Sequence, residues 1–263
     1  MITLDPKEVS TKELHGLLLG GIGPRPIALA STMNKNGEAN LSPFSFFNIF
    51  SANPPILIFS PARRVRNNTI KHTLENVMEN PEVVVNIVNY AIVEQTSLSS
   101  TEYGKGVDEF TKSGLTPLPS DTISPFRVKE SPIQMECKVL EIKHLGENGG
   151  AGNLVICEIT KVHYDDGILD DNGKVDPFKI DLVGRMGGDW YCRANDDALF
   201  EVEKPLTTIG IGFDQLPEGI KASNYLTGNE LAKLANFEAI PFQEEVDKMK
   251  KIFIVMSLTR QVF

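Results

Sequence analysis

Short β-branched runs, each closed by a turn, recur through most of this chain and constrain its fold more than any single motif. Pro26-Ile27-Ala28-Leu29-Ala30 is a compact apolar run that ends in Ser31-Thr32. Ile56 to Ser60 follows the breaker Asn53-Pro54-Pro55, and Val83-Val84-Val85-Asn86-Ile87-Val88 is β-branched and only six residues long. Runs of this length and composition predict strands rather than helices. Lys35-Asn36-Gly37-Glu38 carries the Asn-Gly pair that favours the positive φ angles of a tight hairpin. Asp170-Asp171-Asn172-Gly173-Lys174 predicts a second turn, and Ile133 to Leu145 with Leu154 to Tyr164 flank a glycine loop, 146–152, as the arms of a hairpin would. Many short strands joined this way predict a barrel or a sandwich.

Helical signals are fewer. From Thr69 to Met78, Ile70, Leu74, Val77 and Met78 share a face, with Asn68 or Thr69 as N-cap and Pro81 past the end. Thr227 followed by Glu230 reads as a capping box ahead of Leu231 to Ala235, and Glu244 to Ile252 reads as another short helix. The expected organisation is a strand-rich domain over residues 1–200 with a helical C-terminal extension over 201–263.

Charge and cysteine content narrow the functional classes. Against 26 basic residues stand 35 acidic ones, a net charge of −9, which argues against a broad nucleic-acid or anionic-membrane face. At 263 residues the chain can bury a core without metal or disulfide staples. Cys137, Cys157 and Cys192 are odd in number and widely spaced, which suits reduced thiols better than a disulfide framework or a zinc knuckle. Met1 to Glu8 has no basic stretch leading into an apolar one, and no apolar run approaches the ~18 residues of a membrane helix. A cytoplasmic protein is expected.

Ready-made catalytic signatures are missing. Gly21-Ile22-Gly23-Pro24-Arg25-Pro26 starts like a dinucleotide fingerprint but ends in proline, and Gly210-Ile211-Gly212 lacks its third glycine. There is no Walker sequence and no Gly-x-Ser-x-Gly elbow. His15, His72, His144 and His163 lack metal-ligand spacing, so no metal site and no catalytic side chain are expected.

Three local features carry positive information. Arg63, Arg64 and Arg66 are three of eight arginines, placed after a predicted strand and followed by Asn67-Asn68-Thr69. Guanidinium forks beside a helix start suit a phosphate, although a solvated basic turn has the same composition. Asn40-Leu41-Ser42-Pro43-Phe44-Ser45-Phe46-Phe47-Asn48 alternates small polar residues with aromatics, which suits either a planar heteroaromatic ring or an ordinary core strand. Arg185-Met186-Gly187-Gly188-Asp189-Trp190-Tyr191 pairs glycines with aromatics, so that Tyr191 either reaches a ligand or packs in a turn.

Taken in order, Ile22 to Thr32, Asn40 to Asn48, Asn68-Thr69, Val84-Val85-Asn86, Asp108-Glu109-Phe110 with Gly114-Leu115, and Arg185-Met186-Gly187-Gly188 resemble the flavin reductase-like family, the FMN-binding split barrels of flavoredoxin type. The resemblance spans roughly residues 10–195. It implies a mainly β fold, a six-stranded antiparallel Greek-key barrel with peripheral helices, dimeric, with FMN near the dimer interface. By position, Ser31 and Thr32 would contact the flavin, and Asn40 with Ser45, Phe46 and Phe47 would line the isoalloxazine and ribityl chain. Ser60, Arg63, Asn68 and Thr69 would hold the phosphate, with Lys71 or an arginine replacing the family's lysine there. His144 precedes a longer glycine loop than the family's central hairpin carries. The implied activity is NAD(P)H-dependent reduction of flavin, NADH or NADPH being the donor, with electrons delivered to a small acceptor or a partner protein. Alternative expectations are a flavoredoxin-type electron carrier without direct NAD(P)H reaction, a non-enzymatic flavin-binding protein, or a barrel taking heme or pyridoxal phosphate with His144 or His163 as ligand.

Overall fold

The computed structural model describes residues 1–206 and 209–259, with side chains as far as residue 251. The chain forms two compact units, Met1–Leu199 and Phe200–Phe263. The first contains α1 (Thr11–Gly21), β1 (Ala28–Met33), β2 (Ala39–Phe44), β3 (Phe47–Ala52), β4 (Pro55–Phe59), α2 (His72–Glu79) and β5 (Glu82–Ile87). It continues with α3 (Val93–Leu98), α4 (Glu109–Ser113), the two-residue strands β6 (Pro117–Leu118) and β7 (Arg127–Val128), the long hairpin β8 (Ile133–His144) and β9 (Asn153–Tyr164), and the hairpin β10 (Leu182–Arg185) and β11 (Tyr191–Ala194).

Seven strands form one antiparallel sheet in the order β2-β1-β5-β8-β9-β4-β3. β2 and β3 are its opposite edges, yet only Ser45 and Phe46 separate them in sequence. A flat sheet of this width would hold its edges about 29 Å apart at the usual strand spacing. Two linking residues span about 11 Å at most. The sheet is therefore curled until its edges nearly meet. No ladder joins β2 to β3, so the curl stays split rather than closed. The expected six strands become seven because the 40–48 stretch, read as one segment, turns a corner at Ser45-Phe46 and supplies two.

Alternation along the strands decides the interior. Ala28 and Ala30, Leu57 and Phe59, Val83 and Val85, Met135 and Cys137, and Val155 and Cys157 all point into one cluster, capped by Leu74 and Val77 of α2. Full burial of each large side chain here is worth about 1.5–3 kcal/mol. Ile27, Leu29 and Leu41 face the other way, into a second cluster with Val88, Ile92, Phe110, Leu115, Val128 and Val183. β1 is thus buried on both faces. Burial pushes the Cys157 thiol up to about 12 and Cys137 upward as well, which leaves both as inert core residues; Cys192 is half-buried.

The Asn36-Gly37 turn and the long glycine-loop hairpin form as expected, with Gly37 at φ 82° and Met33 paired to Ala39. The helix expected from Thr69 begins later, at His72, with Lys71 as an N-cap that makes no side-chain bond. Asn68 and Thr69 belong instead to the preceding loop, and the physical reason is a pair of arginine staples. Arg63 donates to the Asn68 side chain and carbonyl, both at 2.7 Å, while Arg64 donates to Thr69 Oγ1 at 3.0 Å and to the Ile70 carbonyl. These bonds hold Asn68 in the left-handed region, at φ 55°, which is not a helical conformation. The far end agrees with the sequence: α2 stops at Glu79, before Pro81.

In the second unit α5 (Glu218–Lys221), α6 (Gly228–Ala235) and α7 (Gln243–Thr259) are helical. The Thr227–Glu230 capping box is present in both directions. α7 extends past the expected Ile252. Leu216, Leu231 and Ala235 form a small core with Ile211 and Leu226. A Cβ on Gly210 would lie 2.5 Å from the Ala235 carbonyl oxygen, so the Gly-Ile-Gly element serves a backbone crossing within this unit. Among the described residues no helix is long and apolar enough to cross a membrane.

Glu136 shows how the sheet holds its outer segment. Its carboxylate is fully buried on the face of β8 opposite Met135 and Cys137. It accepts from the Asp121 and Thr122 N–H groups, each at 2.8 Å, from Thr122 Oγ1 at 2.5 Å, and pairs with His163 Nε2 at 2.8 Å. Burial pushes this carboxyl upward, but those hydrogen bonds outweigh it and hold the group at about 2. A depressed carboxyl stabilises the fold above its unfolded value and loses that contribution as pH falls through the folded one. Urea titrations of the wild type should therefore show stability falling by about 3 kcal/mol from this group between roughly pH 5 and 2. Glu136→Gln should be less stable at pH 7 and show a flatter acid limb.

Candidate functional site

A polar pocket opens where α2 begins. It is lined by Asn40 and Ser42 of β2, Arg64, Lys71, His72 and Thr73 around the start of α2, residues 99–103 after α3, and Glu109 of α4. Its floor is a buried network. Asn40 Nδ2 donates to Thr73 Oγ1 at 2.9 Å and to Thr32 Oγ1 at 3.2 Å, and Asn76 Nδ2 reaches the same Thr32 oxygen at 3.1 Å. These bonds fix α2 against the β1–β2 hairpin, so the helix start has one position relative to the sheet. Glu109 Oε2 accepts the Leu41 N–H at 3.1 Å from the adjoining helix start, and burial pushes that carboxyl upward.

The pocket's cations are unevenly committed. Arg64 is paired with Glu102 Oε1 at 3.2 Å, and Arg66 with the other oxygen of the same carboxylate. Lys71 makes no ion pair within 4 Å among the described residues; its ammonium lies 5.1 Å from the centre of the Phe44 ring. Burial and the neighbouring Arg64 push its pKa down, with Glu102 acting against them. An uncapped helix start beside an unpaired, half-buried ammonium offers backbone N–H donors and a cation at one point of a lining that also holds Glu102 and Glu109. Its donor set fits a phosphate monoester.

Most of the sequence-derived residues fall into three places, with Ser31 and Tyr191 outside them. Thr32 and Asn40 meet in the pocket floor, and Thr69 lies one bond away through Arg64. Ser60, Arg63 and Asn68 gather around the glycine loop: Ser60 Oγ accepts the Asn153 N–H at 3.1 Å, Asn68 Nδ2 donates to the Glu147 carbonyl at 2.9 Å, and the Arg63 backbone pairs with Ala151 and Gly150. Ser45 and Phe46 form the corner between the sheet edges; Phe46 is exposed, with its ring 6.1 Å from that of His15, whereas Phe47 packs toward the core. Ser31 is buried on the opposite face of β1 from Thr32, and its hydroxyl has no partner among the described residues. Tyr191 lines a separate cleft of about 380 Å³ between α3 and the β10–β11 hairpin. His144 Nδ1 lies 2.6 Å from Asn153 Oδ1, a bond that orients the Asn153 side chain toward the Pro61 carbonyl.

Lys71, expected as one stand-in for the family's lysine, lines the pocket, and Thr73 and residues 101–103 complete it without standing out as a motif. Their signal is weak because the site is assembled from three segments 30–70 residues apart. Arg25 is a further central residue that the sequence hides inside a proline-flanked run. It is 6% exposed and donates to the Leu19 carbonyl at 2.7 Å, the Met186 carbonyl at 2.8 Å and the Ile22 carbonyl, with Ser45 Oγ at 3.5 Å from its Nε.

A family model described as flavin reductase-like domain matches residues 21–179. An uncharacterized protein of Aquifex aeolicus is 35% identical over 74% of this chain and 97% of its own length. Nitrilotriacetate monooxygenase component B from Bacillus cereus is 30% identical with a TM-score of 0.71, over 77% of this chain and 98% of that one. The 2-nitrobenzoate 2-nitroreductase NbaA of Pseudomonas fluorescens is 28% identical with a TM-score of 0.68, over 80% of this chain and all of that one.

The glycine loop braces the arginine segment by close backbone approach. A Cβ on Gly149 would lie 2.9 Å from the Val65 carbonyl oxygen and 3.0 Å from its Cα. Gly149→Ala should cost about 1–3 kcal/mol of stability and speed amide exchange at Arg63 and Gly150, measurable by urea unfolding and hydrogen exchange.

Proposed function

We propose, for a chain that belongs to the flavin reductase-like domain family, that it binds FMN and acts as an oxidoreductase, taking electrons from NADH or NADPH and passing them to a small acceptor. The carrying observation is the unpaired Lys71 ammonium beside an uncapped helix start, a cradle that suits the phosphate of a mononucleotide. The bound flavin would supply the hydride chemistry, and the protein binding, orientation and electrostatics. Two solved relatives are themselves named for redox enzymes.

On this reading Lys71 and the first N–H groups of α2 hold the phosphate, with Arg64 kept in place by Glu102. Ser60, Arg63, Asn68 and Thr69 form the braced rim beside it. Thr32 and Asn40 keep the helix start in register with β2. The corner at Ser45, Phe46 and Phe47 receives the ring, at the opposite end of β2 from Asn40. Ser31 and Tyr191 belong to the wider ring surroundings. No side-chain nucleophile is needed, because the bound flavin would supply the hydride chemistry. A second copy of the chain is the expected partner, since Ile49 and Phe50 on edge strand β3 are 59% and 63% exposed. Unpaired thiols suit a reducing compartment such as the cytoplasm.

Titration of the purified protein with FMN and with riboflavin tests the site directly. The wild type should bind FMN, and Lys71→Gln should weaken FMN about 10–100-fold while leaving riboflavin affinity unchanged. Equal loss for both ligands would refute the phosphate assignment. Anaerobic addition of NADH or NADPH should then bleach the bound flavin; a band that stays unbleached would move the protein to the class of electron carriers.

A further inference from the structure

Arg25 and Arg185 face each other across an antiparallel bridge, each backbone N–H donating to the other's carbonyl at 3.0 and 2.9 Å. Like charges placed directly opposite in a ladder are destabilising. No carboxylate lies within 4 Å of either guanidinium among the described residues, in a chain where acidic residues outnumber basic ones 35 to 26. A shortage of counter-ions does not explain the arrangement. Arg193, on the partner strand of the same hairpin, is held by Asp181 through two bonds of 2.7 Å.

The surroundings hold this pair in place rather than neutralise it. Arg25 is anchored by carbonyls at the end of α1, the negative end of that helix, and by Met186. Arg185 donates to the Gly188 carbonyl at 3.0 Å and lies 4.7 Å from the centre of the Tyr191 ring. Gly187 allows the contact, since a Cβ there would lie 2.8 Å from Gly20 Cα in α1. Burial, together with Arg185, pushes the Arg25 guanidinium below the ordinary arginine range, as expected for a cation lacking a partner.

Among the described residues the one side-chain hydroxyl that the Arg25 guanidinium approaches is that of Ser45, at the corner assigned to the flavin ring. A ring that accepts a hydride takes up two electrons and one proton, and so gains one negative charge. We propose that Arg25 and Arg185 form a fixed pair of positive charges that favours the reduced, negatively charged ring, Arg25 positioning Ser45 and Arg185 acting through space. This rests on the flavin reading above and adds to it the residues that set the potential. Unpaired charge that weakens the empty fold is retained because a ligand gaining negative charge offsets it.

The test is the midpoint potential of bound FMN, measured by equilibration with redox dyes, alongside the affinity for oxidised FMN. Arg185→Gln should weaken reduced FMN about tenfold relative to oxidised FMN, lowering the two-electron potential by about 30 mV. Arg185→Lys should restore most of it. Arg25→Lys, which keeps the charge but loses the fork, should shift the potential less than Arg185→Gln. An unmoved potential in Arg185→Gln, with both redox forms weakened equally, would reduce the pair to a structural role and overturn the inference. Failure of the wild type to bind FMN would overturn the flavin reading itself, and the inference with it.

Discussion

The two-residue joint at Ser45-Phe46 governs the geometry of the first unit. It ties together strands that lie at opposite edges of a seven-stranded sheet, and a sheet so tied has to curl. Curling turns the alternating residues of six strands toward one interior, and α2 covers its open side through Leu74 and Val77. Because the joint is a corner and not a ladder, its polar and aromatic side chains stay at the surface. The same constraint therefore makes the core and leaves the corner available.

Charge is placed unequally around this frame. Where the fold needs a clamp, ionic groups are fully partnered: Glu136 fills its acceptor positions with N–H, hydroxyl and imidazole donors, and Arg193 is forked onto Asp181. At the pocket Arg64 is paired with Glu102, but one cation there and one at the corner are left with dipoles instead of carboxylates. Lys71 stands beside a helix start and a phenylalanine ring, and Arg25 is held by carbonyls. Buried charge without a partner is costly, and at Arg25 that cost is met by carbonyl dipoles rather than by a carboxylate.

The pieces legible in sequence were those decided by neighbours along the chain. The β-branched runs at 56–60 and 83–88, the Asn36-Gly37 turn, the glycine-loop hairpin and the Thr227–Glu230 capping box follow from local propensity and turn chemistry. α1 and α4 were not among the expected helices, although their caps are local: Ser10 Oγ accepts the Glu13 N–H at 3.2 Å, and α4 runs from the Asp108 cap to Gly114 at φ 69°. The delayed start of α2 was different. Asn68 and Thr69 have the composition of helix caps, and only the arginine staples, which depend on where 63–64 lie against 68–70, show that they are loop.

By itself the sequence determined a strand-rich unit with helices added, an acidic surface, reduced thiols and, through an ordered set of short motifs, the family. Those properties depend on composition and on contacts between near neighbours, which a linear reading can follow. Tertiary structure decided the strand count, the split in the curl, and which cations remain free. It brought Lys71 beside Asn40 and Glu109, and set Arg25 opposite Arg185, across separations of 31, 38 and 160 residues. A side chain's charge is written in the sequence. Whether that charge is cancelled depends on what the fold places within a few ångströms of it.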